Sequence, residues 1–188
     1  MMDEEIDKTV EVLKKGGIIV YPTDTIWGIG CDATNEKAVK KIYALKHRLE
    51  KKKMIVLICK PESLNKFIDK VPPIAYDLIE SWDKPLTIIY SGAMNLAKNL
   101  IEDDKSVAIR VSKDEFSQRV IKKLGKPLVS TSANHSGEAA PIFFKSITSE
   151  ILEGVDYVVD LYHDSLNTVK PSTIIKLLKS GNFEVIRP

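Results

Sequence analysis

Tyr21-Pro22-Thr23-Asp24-Thr25-Ile26-Trp27-Gly28-Ile29-Gly30 is the densest break in the apolar patterning of this chain: three threonine and proline positions, one carboxylate and two glycines follow directly on the strand-like run Ile18 to Tyr21. Pro22 has no amide hydrogen to give to a ladder, so the strand stops there. Gly28 and Gly30 permit backbone angles that residues with side chains resist, and the segment reads as a loop, neither helix nor ladder. A polar loop held at the end of a buried strand is where α/β proteins place ligands. The same composition suits an ordinary connection facing water, and the rest of the chain has to decide between the two.

Outward from this loop the periodicity alternates between helix and strand. On the amino-terminal side, Asp3 caps a helix with Ile6, Val10 and Leu13 at helical spacing, Gly16-Gly17 closes it, and Gly17 to Tyr21 is the first strand. On the other side, Thr34 or Asn35 starts a second helix with Ala38, Val39, Ile42, Tyr43 and Leu45 inward. That helix runs into Lys46-His47-Arg48-Leu49-Glu50-Lys51-Lys52-Lys53. Met54 to Cys59 is a continuous apolar run, read as a strand buried on both faces. Short helices start from Pro61 and Pro73. Beyond Trp82 the chain is richer in strands: Leu86 to Tyr90, Val107 to Val111, Leu128 to Ser130 and Tyr157 to Asp160. Asp114 to Leu124 is a helix ended by Gly125, and Ser146 to Leu152 a short one. Thr173 to Leu178 and Phe183 to Ile186 form a hairpin turned at Ser180-Gly181-Asn182. The hairpin forces an antiparallel pair while strand-helix-strand connections favour parallel ones, so the sheet is expected to be mixed, with about eight strands.

At 188 residues, with 44% hydrophobic and 29% charged residues, the chain suits one α/β domain over residues 1–188 with a core that needs no staples. A net charge of +2 diagnoses no partner. No apolar run approaches the ~20 residues of a membrane helix, and Asp3-Glu4-Glu5 is the opposite of a signal peptide, so no membrane partner and a cytoplasmic location are expected. Cys31 and Cys59 lie on different elements and read as reduced.

Four polar clusters fall where strands stop or helices begin: Thr23 to Gly30, Lys46 to Lys53, Ser130 to Gly137, and Pro171-Ser172-Thr173 with Arg187 nearby in sequence. Facing one cleft, they would supply hydroxyls, amides and cations with little carboxylate, the inventory of a polyanion site. Taken singly, the lysine-rich stretch suits a solvated loop and Ser130 to Gly137 a plain turn. Arg110 inside the run Val107-Ala108-Ile109 is more telling, because an unpaired buried charge is costly. Gly28-Ile29-Gly30-Cys31-Asp32-Ala33 fits the G-x-G-x-x-G/A dinucleotide pattern only coincidentally, since several residues separate it from the strand and lysines dominate where the acidic ribose ligand belongs. No G-x-x-x-x-G-K-[ST] sequence exists, so ATP must be held without a Walker loop. His47, His135 and His163 have no metal spacing with one another or with the cysteines, and no zinc site or side-chain metal ligand is expected.

In order along the chain, Tyr21 to Asp32, Ile42-Tyr43-Ala44-Leu45-Lys46-His47-Arg48, Pro85-Leu86-Thr87, Val107 to Val111, Pro127 to Gly137, Pro171-Ser172-Thr173 and Ile186-Arg187-Pro188 resemble the signature of the YrdC-like threonylcarbamoyl-AMP synthases, from about Gly16 onward. The resemblance implies an open twisted mixed sheet with flanking helices around a basic cavity. It implies that ATP with Mg²⁺, L-threonine and bicarbonate or carbon dioxide form L-threonylcarbamoyl-AMP and pyrophosphate. The product would supply a downstream tRNA threonylcarbamoyl transferase complex acting on adenosine 37. Position by position, Lys46, Arg48 and Lys52 match the basic catalytic and nucleotide-binding motif, and Thr25, Ser130, Ser172 and Thr173 match threonine contacts. Thr87, Arg110, Ser132, Asn134 and Arg187 match the ATP side. Leu49 stands where the family has proline, Asp83-Lys84 where it has Pro-Gly, and Leu161 to Lys170 where a glycine-rich segment is common.

Two other classes stay open at this level. A double-stranded RNA or tRNA-binding module could use the same basic cavity, and its affinity would fall steeply with salt without any need for threonine. A carbamoyl-transfer enzyme is the other, although its relatives carry acylphosphatase and zinc-finger parts that do not occur in these 188 residues.

Overall fold

Helix α1 (Met2–Lys14) buries Ile6, Val10 and Leu13, the spacing the sequence shows. Asp3 is not its cap. It lies inside the first turn with Glu4 and Glu5, where negative charge complements the helix dipole, and its carboxylate pairs with Arg119. The computed structural model describes residues 1–47, 54–164, 171–178 and 181–188. Its other elements are β1 (Ile19–Tyr21), β2 (Gly28–Gly30), α2 (Glu36–Leu45), β3 (Ile55–Ile58), α3 (Ile74–Ser81), β4 (Leu86–Tyr90), β5 (Val107–Val111), α4 (Glu115–Leu124), β6 (Leu128–Ser132), α5 (Ser149–Glu153), β7 (Tyr157–Val158), β8 (Thr173–Leu177) and β9 (Phe183–Arg187). A 3₁₀ turn at Pro61–Lys66 replaces the helix expected from Pro61.

The strands form one open mixed sheet in the order β7-β1-β2-β6-β3-β5-β4-β8-β9. Three pairs are parallel (β1 with β7, β3 with β5, β4 with β8) and the other five antiparallel. Side chains alternate between the faces as the pleat requires. Ile19, Tyr21, Leu57 and Leu128 pack with α1 and α4 on one side, while Val20, Val56, Ile58 and Val129 pack with α2 on the other. Asn35 caps α2 by accepting from the amides of Lys37 and Ala38, both at 3.1 Å. Asp114 caps α4, and Gly125 ends it in the left-handed conformation at φ +73°.

The loop expected over residues 22–30 is corrected in its second half. Gly28-Ile29-Gly30 is a strand, antiparallel to β1 with Tyr21 opposite Gly28 and Ile19 opposite Gly30. Neither glycine adopts a positive φ. Both serve close approach: a Cβ on Gly30 would lie 2.7 Å from the Tyr21 ring and 2.7 Å from the Val129 carbonyl oxygen, and one on Gly28 would lie 3.2 Å from Thr23 Cγ2. Gly30→Ala is expected to cost about 2–3 kcal/mol through that overlap, read as a lowered urea midpoint. An unchanged midpoint would show that the Tyr21 ring moves aside freely.

Candidate functional site

Pro22 sends the chain off the end of β1, and the hydroxyls that follow tie the connection to itself. Thr23 Oγ1 donates to the Ile26 carbonyl oxygen (2.7 Å), accepts from the Thr25 amide (3.1 Å) and lies 2.9 Å from Thr25 Oγ1. Thr25 is thereby presented to a cleft of about 220 Å³. Hydroxyls of Thr25, Ser130, Thr131, Ser132 and Ser172 line this cleft with the guanidiniums of Arg110 and Arg187, against an apolar wall that includes Met54, Ile55 and Ile174.

Arg110 points from β5 and is 3% exposed. Its Nη2 lies 3.1 Å from Asp24 Oδ1 and its Nη1 donates to Thr25 Oγ1 at 3.4 Å, while its Nε has no hydrogen-bond partner. Burial holds the Asp24 carboxyl above its ordinary range, and the Arg110 charge opposes that shift without cancelling it. Arg187 comes from the last residues of β9 and donates to the Ser172 carbonyl oxygen through Nε (3.0 Å) and Nη2 (2.7 Å). Burial, and then the charge of Arg110, push its pKa below the usual arginine value. Two guanidiniums that repel each other across one cleft, with Asp24 alongside only one of them, favour an anionic guest. Below them Ser172 Oγ lies 2.8 Å from Thr87 Oγ1, which is fully buried.

Lys46 has a different place from the one its motif suggests. It is 1% exposed, and its ammonium donates to the carbonyl oxygens of Ser132 and Asn134 and lies 3.4 Å from Asn134 Oδ1. Asn134 in turn donates to the carbonyls of His135 (3.1 Å) and Glu138 (2.8 Å). Lys46 therefore braces the turn after β6 against the end of α2, and neither it nor Asn134 is part of the cleft lining.

Of the residues the sequence singled out, the fold gathers Thr25, Arg110, Ser130, Ser132, Ser172 and Arg187 around the cleft. Thr87 supports Ser172 from beneath, Thr173 opens β8 beside the cleft half-buried, and Lys46 is bonded to Asn134 in the turn after β6. Arg48 and Lys52 lie outside the described residues. Asp24 as the partner of Arg110, and the apolar wall of Met54, Ile55 and Ile174, are contributions the sequence did not assign. Asp24 carried a signal, being the lone carboxylate in a hydroxyl-rich loop; the wall residues carried none that separates them from ordinary strand positions.

The sequence profile of the Sua5/YciO/YrdC family, described as "Telomere recombination", matches residues 11–188. The threonylcarbamoyl-AMP synthase of Pseudoalteromonas translucida (strain TAC 125) is 33% identical over 172 residues, 90% of this chain and 91% of that one. The threonylcarbamoyl-AMP synthase of Psychromonas ingrahamii is 35% identical over 144 residues, 74% of this chain and 75% of its own. The crystal structure of P. abyssi Sua5 complexed with L-threonine has the same fold, with a TM-score of 0.87 at 24% identity over 97% of this chain; this chain spans 53% of that longer one. By a match over nearly its whole length, together with relatives at this identity, the chain belongs to the Sua5/YciO/YrdC family.

Proposed function

We propose that this chain is an L-threonylcarbamoyladenylate synthase, joining L-threonine, carbon dioxide or bicarbonate, and ATP into threonylcarbamoyl-AMP with release of pyrophosphate. The observation that carries the reading is the convergence of Arg110 and Arg187 with the hydroxyls of Thr25, Ser130, Ser132 and Ser172 on one cleft. Pockets that enclose a drug-sized ligand run to roughly 300–1,000 Å³. At about 220 Å³ the described cleft matches an amino acid, and the nucleotide extends beyond it.

In this reading the amine of bound threonine adds to carbon dioxide, losing a proton, to give an N-carboxylate. An oxygen of that carboxylate attacks the α-phosphorus of ATP; the bond to the bridging oxygen breaks and pyrophosphate departs. Thr25 and Ser172 hold the threonine, and the two arginines hold anionic oxygens of the substrates and balance the charge that builds during transfer. Ser130 and Ser132 contact both reactants from the end of β6, where the Lys46 brace fixes the Ser132 backbone. The Mg²⁺ expected with ATP belongs to the nucleotide: no cleft-lining side chain among the described residues is a carboxylate, and the nearby Asp24 faces Arg110. When bound, the ion shields triphosphate charge. The product, a reactive mixed anhydride, passes to the transferase complex that modifies tRNA.

Incubation of the purified chain with Mg-ATP, bicarbonate and L-threonine, followed by mass spectrometry, is expected to show pyrophosphate and threonylcarbamoyl-AMP in equal amounts. Pyrophosphate release indifferent to threonine and bicarbonate would sink the assignment. Thr25→Val, which keeps the shape and loses the hydroxyl, is expected to raise KM for threonine about tenfold, or ~1.4 kcal/mol, with kcat nearly intact. Thr25→Ser should behave like the natural chain. An equal loss in kcat would place Thr25 in the chemical step.

A further inference from the structure

The histidines show no metal spacing in the sequence; folding supplies the proximity instead. We propose that His47, His135 and Glu150, none of which lines the cleft, form a binding site for a divalent transition metal of the Zn²⁺ type. Three separately anchored segments deliver the ligands. The Ser136 amide donates to the Lys46 carbonyl oxygen at 3.0 Å, which lays the adjoining residues side by side. The rings of His47 and His135 stack with centroids 4.9 Å apart and planes 25° from parallel. His47 holds the left-handed conformation at φ +48°, a position that turns the chain sharply after α2 and that non-glycine residues seldom occupy. Glu150 arrives on α5, whose end is seated against α2 by Gly154: a Cβ there would lie 2.3 Å from Leu45 Cδ1.

The donor atoms are grouped as a metal requires. Glu150 offers Oε1 at 3.7 Å from His47 Nε2 and Oε2 at 3.2 Å from His135 Nε2, and one ligand atom from each of the three residues lies within 4.8 Å of the others. Donors bound tetrahedrally at 2.0–2.1 Å stand roughly 3.4 Å apart. The side chains of His47 and Glu150 are largely exposed, so rotation closes the remaining gap. Both ring nitrogens of His135 are shielded from solvent and neither has a hydrogen-bond partner, the Glu150 approach being misaligned for one. Sheltered polar atoms are rarely left in that state, and a metal takes up the lone pair of one of them. Two imidazoles and a carboxylate suit zinc and its neighbours rather than Mg²⁺, and three protein ligands leave a position for water. Such an ion would clasp the same two segments that Lys46 joins, without entering the cleft, and its detection does not depend on the reaction proposed above.

The test is titration of chelator-treated full chain with Zn²⁺ by calorimetry, and with Co²⁺ by visible absorption. One ion per chain is expected, with His47→Gln, His135→Gln and Glu150→Gln each weakening binding on the order of 10–100-fold. Zn²⁺ in excess of the natural chain's Kd should raise the thermal midpoint of the natural chain by clearly more than that of His47→Gln. Because His47 and Glu150 are exposed, their variants keep the fold, verifiable by circular dichroism, even if His135→Gln does not. Cys59→Ser should titrate like the natural chain. The site is overturned if the His47→Gln, Glu150→Gln double variant titrates like the natural chain. It is equally overturned if the Co²⁺ spectrum shows thiolate charge transfer, which would assign the ion to cysteine.

Discussion

Arg110→Met is expected to lower kcat/KM on the order of 100–1,000-fold and to remove about 3–5 kcal/mol of stability. The stability loss follows from the neighbour left behind: Asp24 is mostly buried and would keep its charge without the guanidinium now 3.1 Å away. Its pH dependence has a definite sign. Asp24 already sits above the ordinary carboxyl value because of burial, and Arg110 is the influence holding it down. Without Arg110 the folded-state pKa rises further, so the folded chain binds this proton more readily than the unfolded one, and protonation relieves the cost. The deficit should be full at pH 7 and shrink as pH falls toward the unfolded carboxyl pKa. Adding Asp24→Asn should recover much of the urea midpoint and none of the turnover. A deficit that stays constant with pH would mean that Asp24 is not the stranded group.

Lys46→Met tests the brace. Methionine fills the space and cannot donate; the Ser132 carbonyl oxygen keeps the Asn134 amide at 2.9 Å, while the Asn134 carbonyl oxygen loses its ammonium donor at a cost of about 1–3 kcal/mol. A net loss of about 1–3 kcal/mol is expected, together with a fall of on the order of 100-fold in kcat/KM as Ser132 and the turn after it lose their fixed position. The signature is joint: the KM values for both substrates and kcat should worsen together. A collapse of kcat with unfolding unchanged would put the Lys46 ammonium on the reactants instead.

Local signals carried much of the fold. Helix α4 was readable to its ends because Asp114 and Gly125 act within one turn of it, while the start of α2 was readable only to Thr34 or Asn35, of which Asn35 is the cap. Strand β2 was not readable, because Gly-Ile-Gly has little strand character of its own and its glycines answer to the Tyr21 ring and the Val129 carbonyl, brought up by tertiary structure. Missing it also hid the last two residues of β6, since Thr131 and Ser132 pair with β2. It accounts for the ninth strand where eight were expected. In the cleft, Arg110 announced itself as a cation among apolar neighbours, but nothing local ties it to Asp24. The destination of the Lys46 ammonium depends on carbonyls far along the chain, and a sequence motif records the residue without its direction.

The cleft takes Thr25 from near the start of the chain and Arg187 from β9, the far edge of the sheet. During synthesis at about 5–20 residues per second, on the order of ten seconds pass between the emergence of one and the other. Strand β1 waits somewhat less long for β7, and β2 less again for β6. The growing chain thus holds an incomplete anion site, with Arg110 and Asp24 able to meet but Ser172 and Arg187 still to come. The cleft acquires its full lining only after the β8–β9 hairpin has been made.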